Sequence, residues 1–197
     1  MKFISHLDMT RFMSRLITKS KIPVWYTEGF NRHIYMNFAV PLSLGFEGLY
    51  EILEIRIMDD NFTNDDCLAA LNNVTVEGIE FMSVCDQKQN MKDIGFAEYK
   101  LYFDNIPEKL EDFLNSESIL CEKKGKKGKI KEIDLIPKIK KFSIENNVLD
   151  IIVVAGNEDN LNPTLIMDTF FSQTENSPLF YSVERIAILN KNCQIFE

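Results

Sequence analysis

Two apolar runs, Ile22–Tyr26 and Ile34–Val40, flank a polar heptad, Thr27-Glu-Gly-Phe-Asn-Arg-His33. The heptad holds one of the chain's two histidines, and the only tryptophan, Trp25, stands just before it. An imidazole titrates near neutrality, so His33 with Glu28 close in sequence is a candidate acid/base pair; the same His also fits a loop hydrogen-bonder. Gly29 suits a positive φ or the close approach of a ligand, and Asn31 tolerates the left-handed region while bonding its own backbone. Arg32 adds a guanidinium fork for a phosphate or carboxylate. Arg11 and Arg15 lie four residues apart, which puts them on one face of a helix where they can act together. Trp25, Tyr26, Phe30 and Tyr35 surround the turn. Those that are buried serve as core, and those that are exposed offer stacking platforms.

A second charged feature is Lys123-Lys-Gly-Lys-Lys-Gly-Lys-Ile-Lys131, six lysines and two glycines in nine residues. It reads equally as a basic loop contacting phosphates, through Lys123, Lys124, Lys126, Lys127 and Lys129, and as a solvated hairpin tip. The formal net charge of −8 argues against coating nucleic acid by bulk electrostatics and leaves room for a local basic groove. Four cysteines (67, 85, 121, 193) are widely spaced with no C-x-x-C pair, the usage of reduced thiols in a cytoplasmic protein. Zinc is disfavoured by the lack of ligand spacing, and no cofactor is expected. No apolar run approaches the roughly 20 residues of a membrane span, and no secretory leader pattern opens the chain.

The elements that must position these residues follow from periodicity. Ser5-His-Leu-Asp8 has the form of a capping box, so His6 and Asp8 read first as part of a helix start. Met9, Phe12, Met13, Leu16 and Ile17 continue it as an amphipathic helix to about Ser20. Strands are expected at Ile22–Tyr26, Ile34–Val40, Leu49–Met58 and Val74–Cys85, with a helix starting at Thr63 or Asn64. Asp86–Gly95 is the candidate linker. Beyond it come a strand at Phe96–Phe103, a helix from Pro107 and a strand interrupted by the lysine run. A strand pair follows, Ile139–Ile144 with Leu149–Ala155, turning at Glu145-Asn-Asn147. Asn162 then caps a helix, and Val183–Leu189 forms a last strand. The order corresponds to an α+β, tandem ferredoxin-like chain of two βαββαβ halves, residues 1–88 and 96–197, with the first strand of the first half short or missing.

Phe3-Ile-Ser-His-Leu-Asp8 with Arg11, Ile22-Pro-Val-Trp-Tyr-Thr-Glu-Gly-Phe-Asn31 and Pro41-Leu-Ser-Leu-Gly45 resemble an uncharacterised bacterial family, the radical SAM-linked proteins (DUF2344). Ile133-Asp-Leu-Ile-Pro137 and Leu161-Asn-Pro-Thr164 continue the resemblance along essentially the whole chain. Thr27-Glu28 stands where the family pattern has Ser-Gln, and Arg32 and Ile34 stand where it has prolines. The resemblance implies a separate radical SAM protein as partner and assigns no activity. This chain has no C-x-x-x-C-x-x-C motif with which to hold an iron–sulfur cluster itself, and no complete catalytic set.

The leading expectation is an accessory domain that binds RNA or another anionic substrate for that partner. Its ligand-binding residues would be Arg11, Arg15, Glu28, Gly29, Asn31, Arg32 and His33. The rivals are a metal-independent endoribonuclease-like enzyme using His33, Tyr26 and Lys131, and a protein–protein scaffold. His33 is the one candidate catalytic residue.

Overall fold

The structure, a computed structural model, describes residues 2–124, 130–156 and 158–197, without the side chains of Lys123, Lys124, Ile130 and Lys131. Of the basic run, Lys126, Lys127 and Lys129 fall outside the described residues. The protein is α+β, with four α-helices among the described residues. Its contacts divide it into two compact units, residues 1–47, 51–91 and 197 in the first and residues 48–50 and 92–196 in the second.

In the first unit, α1 (His6–Ser20) begins where Ser5, in extended backbone, accepts the Asp8 N–H at 3.1 Å. It ends at Lys21, whose φ of 61° turns the chain out of the helix. Met13, Leu16 and Ile17 form its buried face. Against Leu16 and Ile17 pack Ile22, Val24 and Ile34, together with Cys67 and Leu71 of α2 (Asn64–Asn72). α2 opens on a complete capping box between Thr63 and Asp66. Strands are short here. β1 (Met36–Phe38) pairs antiparallel with β3 (Leu53–Ile55), while Val24 bridges Ile57 and Tyr26 bridges Ile34.

The expected strand at Val74–Cys85 does not form. Val74, Phe81 and Val84 do pack on the core. Their backbone partners, however, include side chains where a ladder would have supplied another strand. Asn72 donates its side-chain N–H to the Phe81 carbonyl and accepts the Phe81 N–H, and Thr75 donates its hydroxyl to the Ile79 carbonyl. A carboxamide carries both a donor and an acceptor, so it can stand in for a neighbouring strand at one residue.

β2 (Phe46–Gly48) leads into Gly48–Tyr50, which belong to the second unit; there Leu49 donates its N–H to the Arg185 carbonyl. The strands β4 (Ile94–Phe103), β7 (Ile139–Glu145), β8 (Val148–Val154) and β9 (Tyr181–Asn190) lie in one sheet in the order β9-β4-β8-β7. The β4–β8, β4–β9 and β7–β8 pairings are antiparallel. Leu149, Ile151 and Val153 of β8 and Ala97, Tyr99 and Leu101 of β4 are buried, as are Ile166, Met167 and Phe170 of α4 (Pro163–Gln173). α4 starts as expected, with the Asn162 side chain accepting the Thr164 N–H and Pro163 in the first turn.

α3 is shorter than expected, Leu110–Leu114, because Pro107 belongs to the turn before it: the Pro107 carbonyl accepts the Leu110 N–H and Lys109 has φ 64°. The interrupted strand is a hairpin of its own, β5 (Leu120–Lys124) with β6 (Ile130–Asp134).

Gly95, expected at the end of a linker, lies inside β4, where the ladder to β9 shifts register between Ile94 and Phe96. A Cβ there would sit 2.8 Å from Lys191 Cα and 3.1 Å from its backbone nitrogen. Backbone cannot swing aside like a side-chain tip, so Gly95→Ala is expected to destabilise the second unit by about 1–3 kcal/mol. Urea unfolding followed by circular dichroism measures this; a wild-type midpoint would show that the two backbones part freely.

Candidate functional site

The heptad is a turn whose two ends are bonded to each other. The Thr27 N–H donates to the His33 carbonyl at 2.8 Å, and the His33 N–H donates to Thr27 Oγ1 at 3.2 Å. Outside this closure the legs are fixed by burial and by backbone bonds. Val24 and Ile34 are in the core, the Tyr35 N–H donates to the Trp25 carbonyl, and the Trp25 N–H donates to the Arg56 carbonyl. Ile34 is only 1% exposed although His33 and Tyr35 on either side face solvent. Period-two alternation therefore directs His33 outward while its neighbour anchors it.

His33 Nδ1 lies 3.1 Å from the Asn31 carbonyl oxygen and 3.1 Å from Thr27 Oγ1. A carbonyl only accepts, so this geometry assigns the proton of the neutral ring to Nδ1. Nε2 is then the atom with a free lone pair. Among the described residues Glu28 forms no hydrogen bond to His33, so the suggested acid/base pair is not assembled; Thr27, read only as part of the turn, is the residue that holds the imidazole.

Gly29 has φ 120°, and a Cβ added to it would meet nothing within 4 Å. Its role is conformational: it reverses the chain, and close backbone approach is not the reason for it. Phe30 beside it is completely exposed, at 109% of its reference area. Asn31 and Arg32 follow, also exposed. Tyr26 and Tyr35 are partly exposed, at 39% and 37%. Trp25 is half-buried, with Tyr35 tilted against it at 5.7 Å between ring centroids and Arg56 over its face at 5.4 Å. Arg56 was not among the residues singled out by sequence. It lies thirty-one positions from Trp25, and only the pairing of Val24 with Ile57 brings the two together.

Arg11 and Arg15 are exposed on α1. Arg11 is engaged by Asp8, at 3.3 Å between Nη1 and Oδ1, an open ion pair of the kind that contributes little stability. No hydrogen bond or ion pair joins either arginine to the turn among the described residues, so the sequence-predicted set divides into a closed turn (Asn31 and His33 bonded, Glu28, Gly29 and Arg32 free at its rim) and a separate pair on α1. His6 points elsewhere, packing edge-on against Phe38 at 5.3 Å. Among the described residues no group of three or more His, Cys, Asp and Glu is placed to hold a metal ion, and no helix is long and apolar enough to cross a membrane.

Residues 1–163 match the family described as an uncharacterised protein conserved in bacteria, DUF2344. The chain belongs to that family. No curated protein and no solved structure matches it. The family match takes in α1, the turn and most of the second unit, so the turn is part of the family's own body.

Asp8 supplies a test of the helix start. The Ser5 hydroxyl, which donates to Asp8 Oδ2 at 2.7 Å, holds this carboxyl below its ordinary value of 3.8, with help from Arg11. A carboxylate depressed in the folded state stabilises above its unfolded value and loses that contribution as pH falls through the folded one. The start of α1 should therefore stay ordered at pH 4 and loosen only below the ordinary Asp range. In Ser5→Ala the Asp8 midpoint, followed by carboxyl NMR, should move back up towards 3.8. An unmoved midpoint would show that the cap is not the cause.

Proposed function

We propose that the protein is a binding domain whose closed turn Thr27–His33 takes a single-stranded RNA, or another anionic ligand carrying a planar ring, and presents it to a separate radical SAM protein. The observation that carries the reading is Phe30: a fully exposed aromatic ring, held at the apex of a hydrogen-bonded turn beside exposed Asn31 and Arg32. Every base has a face to stack, and stacking on such a ring contributes about 1–3 kcal/mol per base. Arg32 at the rim, Arg56 and the pair Arg11 and Arg15 offer the phosphate contacts. Asn31 keeps its side-chain amide for a base edge or sugar, since its bond to His33 uses the backbone carbonyl. The radical SAM partner rests on the sequence resemblance, and the Lys123–Lys131 run is the proposed second contact.

We also infer that the second unit is ferredoxin-like. Leaving aside the β5–β6 hairpin, its elements follow the order β4-α3-β7-β8-α4-β9, and the strands lie β9-β4-β8-β7 with antiparallel neighbours. This is the βαββαβ connection with one hairpin inserted after its first helix. The first unit has helix, strand, strand, helix and supports only a reduced copy, lacking the outer strands.

The test is binding of total cellular RNA and of short single strands at several salt concentrations. Binding should weaken with salt. In Arg11→Ala/Arg15→Ala the dependence should become shallower, by roughly 0.7 for each phosphate that these side chains neutralise in the wild type. Phe30→Ala should weaken binding about 5- to 100-fold at every salt concentration. No binding at low salt would remove nucleic acid as the ligand. Cleavage that is lost in His33→Ala yet insensitive to chelators would replace this reading with a nuclease.

A further inference from the structure

β7 ends its sheet: among the described residues it pairs with β8 alone. The ladder breaks once, between Ile139 and Lys141, which makes Lys140 the extra residue of a bulge. Beyond it Lys141, Phe142, Ser143, Ile144 and Glu145 run regularly opposite Ile152, Ile151, Asp150, Leu149 and Val148. Residues directly opposite share a face of the sheet. Phe142 and Ile144 therefore lie on the side of buried Ile151 and Leu149 and are themselves half-buried, while Lys141, Ser143 and Glu145 are exposed on the other face. The influence of Lys141 on Glu98 agrees with that placement. Ile152 is opposite both residues, and the lysine favours the ionised carboxylate, against the larger opposing effect of burial.

The orientation of the main chain follows from the turn. Asn146 and Asn147 have φ of 49° and 64° and join Glu145 directly to Val148. Such a two-residue turn is closed by a pair that exchanges both hydrogen bonds, and the pattern alternates from there. The N–H and C=O groups of Ile144 and Phe142 thus point away from β8, towards the free edge. The Asn147 side chain pins the turn by donating to the Asp104 carbonyl and accepting the Ile106 N–H. Along the same edge runs an open groove of about 550 Å³, walled by Glu111 and Leu114 of α3 and by Phe142 and Ile144.

We propose that β7 is a docking surface for a second copy of this chain, the two β7 strands pairing antiparallel about a two-fold axis at Ser143. In that register Phe142 of one copy opposes Ile144 of the other. These are the residues whose main-chain groups face outward, so four inter-chain hydrogen bonds close around the axis, with apolar side chains meeting on the helix side. On the open face Lys141 opposes Glu145 of the other copy, and symmetry makes the ion pair twice. Moving the axis to Phe142 sets Ile139 against Glu145 and brings the bulge into the ladder. A half-step sets apolar against charged faces. The Ser143 axis alone matches charge, face and hydrogen bonding together. Lys140 and its bulge are the devices that usually blunt an edge; here they stop the pairing at one end and so fix its register.

The test uses the full chain and sedimentation equilibrium. Wild type should self-associate. Lys141→Glu and Glu145→Lys each oppose like charges twice and should weaken association about tenfold or more, with unchanged circular dichroism because both positions are exposed. Lys141→Glu/Glu145→Lys should restore it, and mixing the two single variants should give a heterodimer. A wild-type chain that remains monomeric up to about 100 μM overturns the proposal. So does a dimer indifferent to the charge swaps, or a double variant that fails to recover.

Discussion

The candidate site depends on the burial of Ile22, Val24 and Ile34 against Leu16 and Ile17. These five side chains are each 9% exposed or less, and they come from α1 and from the two legs of the turn. A seven-residue polar loop has no core of its own and would sample many conformations if it were tethered loosely. Seating one residue on each side of it, Val24 before and Ile34 after, fixes the ends at a spacing that Thr27 and His33 then close by hydrogen bonds. The exposed residues of the heptad are placed by apolar residues that never face a ligand. A cavity made under the legs, for example by shortening Ile34, would disturb the turn as much as a change within it, because close-packed interiors relax only in part.

The chain carries −8 overall, while α1 exposes Arg11 and Arg15, the turn exposes Arg32 beside Glu28, and Arg56 is exposed next to Trp25. Asp8 is the acid that meets one of them, and its first task is the cap at Ser5. On the proposed reading, exposed guanidinium groups on an acidic protein favour encounter with a polyanion where they stand and disfavour adhesion elsewhere. That is the electrostatic form of selectivity, and it weakens with salt at the rim sooner than at any contact from which water is excluded.

What the sequence made legible was set by local physics. The cap at Ser5, the caps at Thr63 and Asn162, the reversal at Asn146-Asn147 and the buried stripe of α1 each depend on residues within one turn of one another, and each was readable. The strand expected at Val74–Cys85 was not, because apolar alternation reports burial and says nothing of what satisfies the backbone; Asn72 took that part from the end of α2. Gly95 misled for a similar reason. Glycine marks turns more often than close approach, and only Lys191, far along the chain, shows which it is here. In the site, the heptad and its arginines were legible as chemistry. The Arg56–Trp25 stack and the use of Thr27 as the partner of His33 were not, since one depends on a long-range strand pairing and the other on which side chain turns inward.

The state of Phe30 gives the turn its meaning. A single exposed apolar residue is ordinary on a protein surface and by itself needs no explanation. On a free loop such a ring would lose much of its binding energy to the ordering of the loop around it. Phe30 instead sits on a backbone already ordered by the Thr27–His33 pair and reversed at Gly29, with the imidazole drawn back against the Asn31 carbonyl. The ring is therefore presented with most of that ordering cost already met by folding.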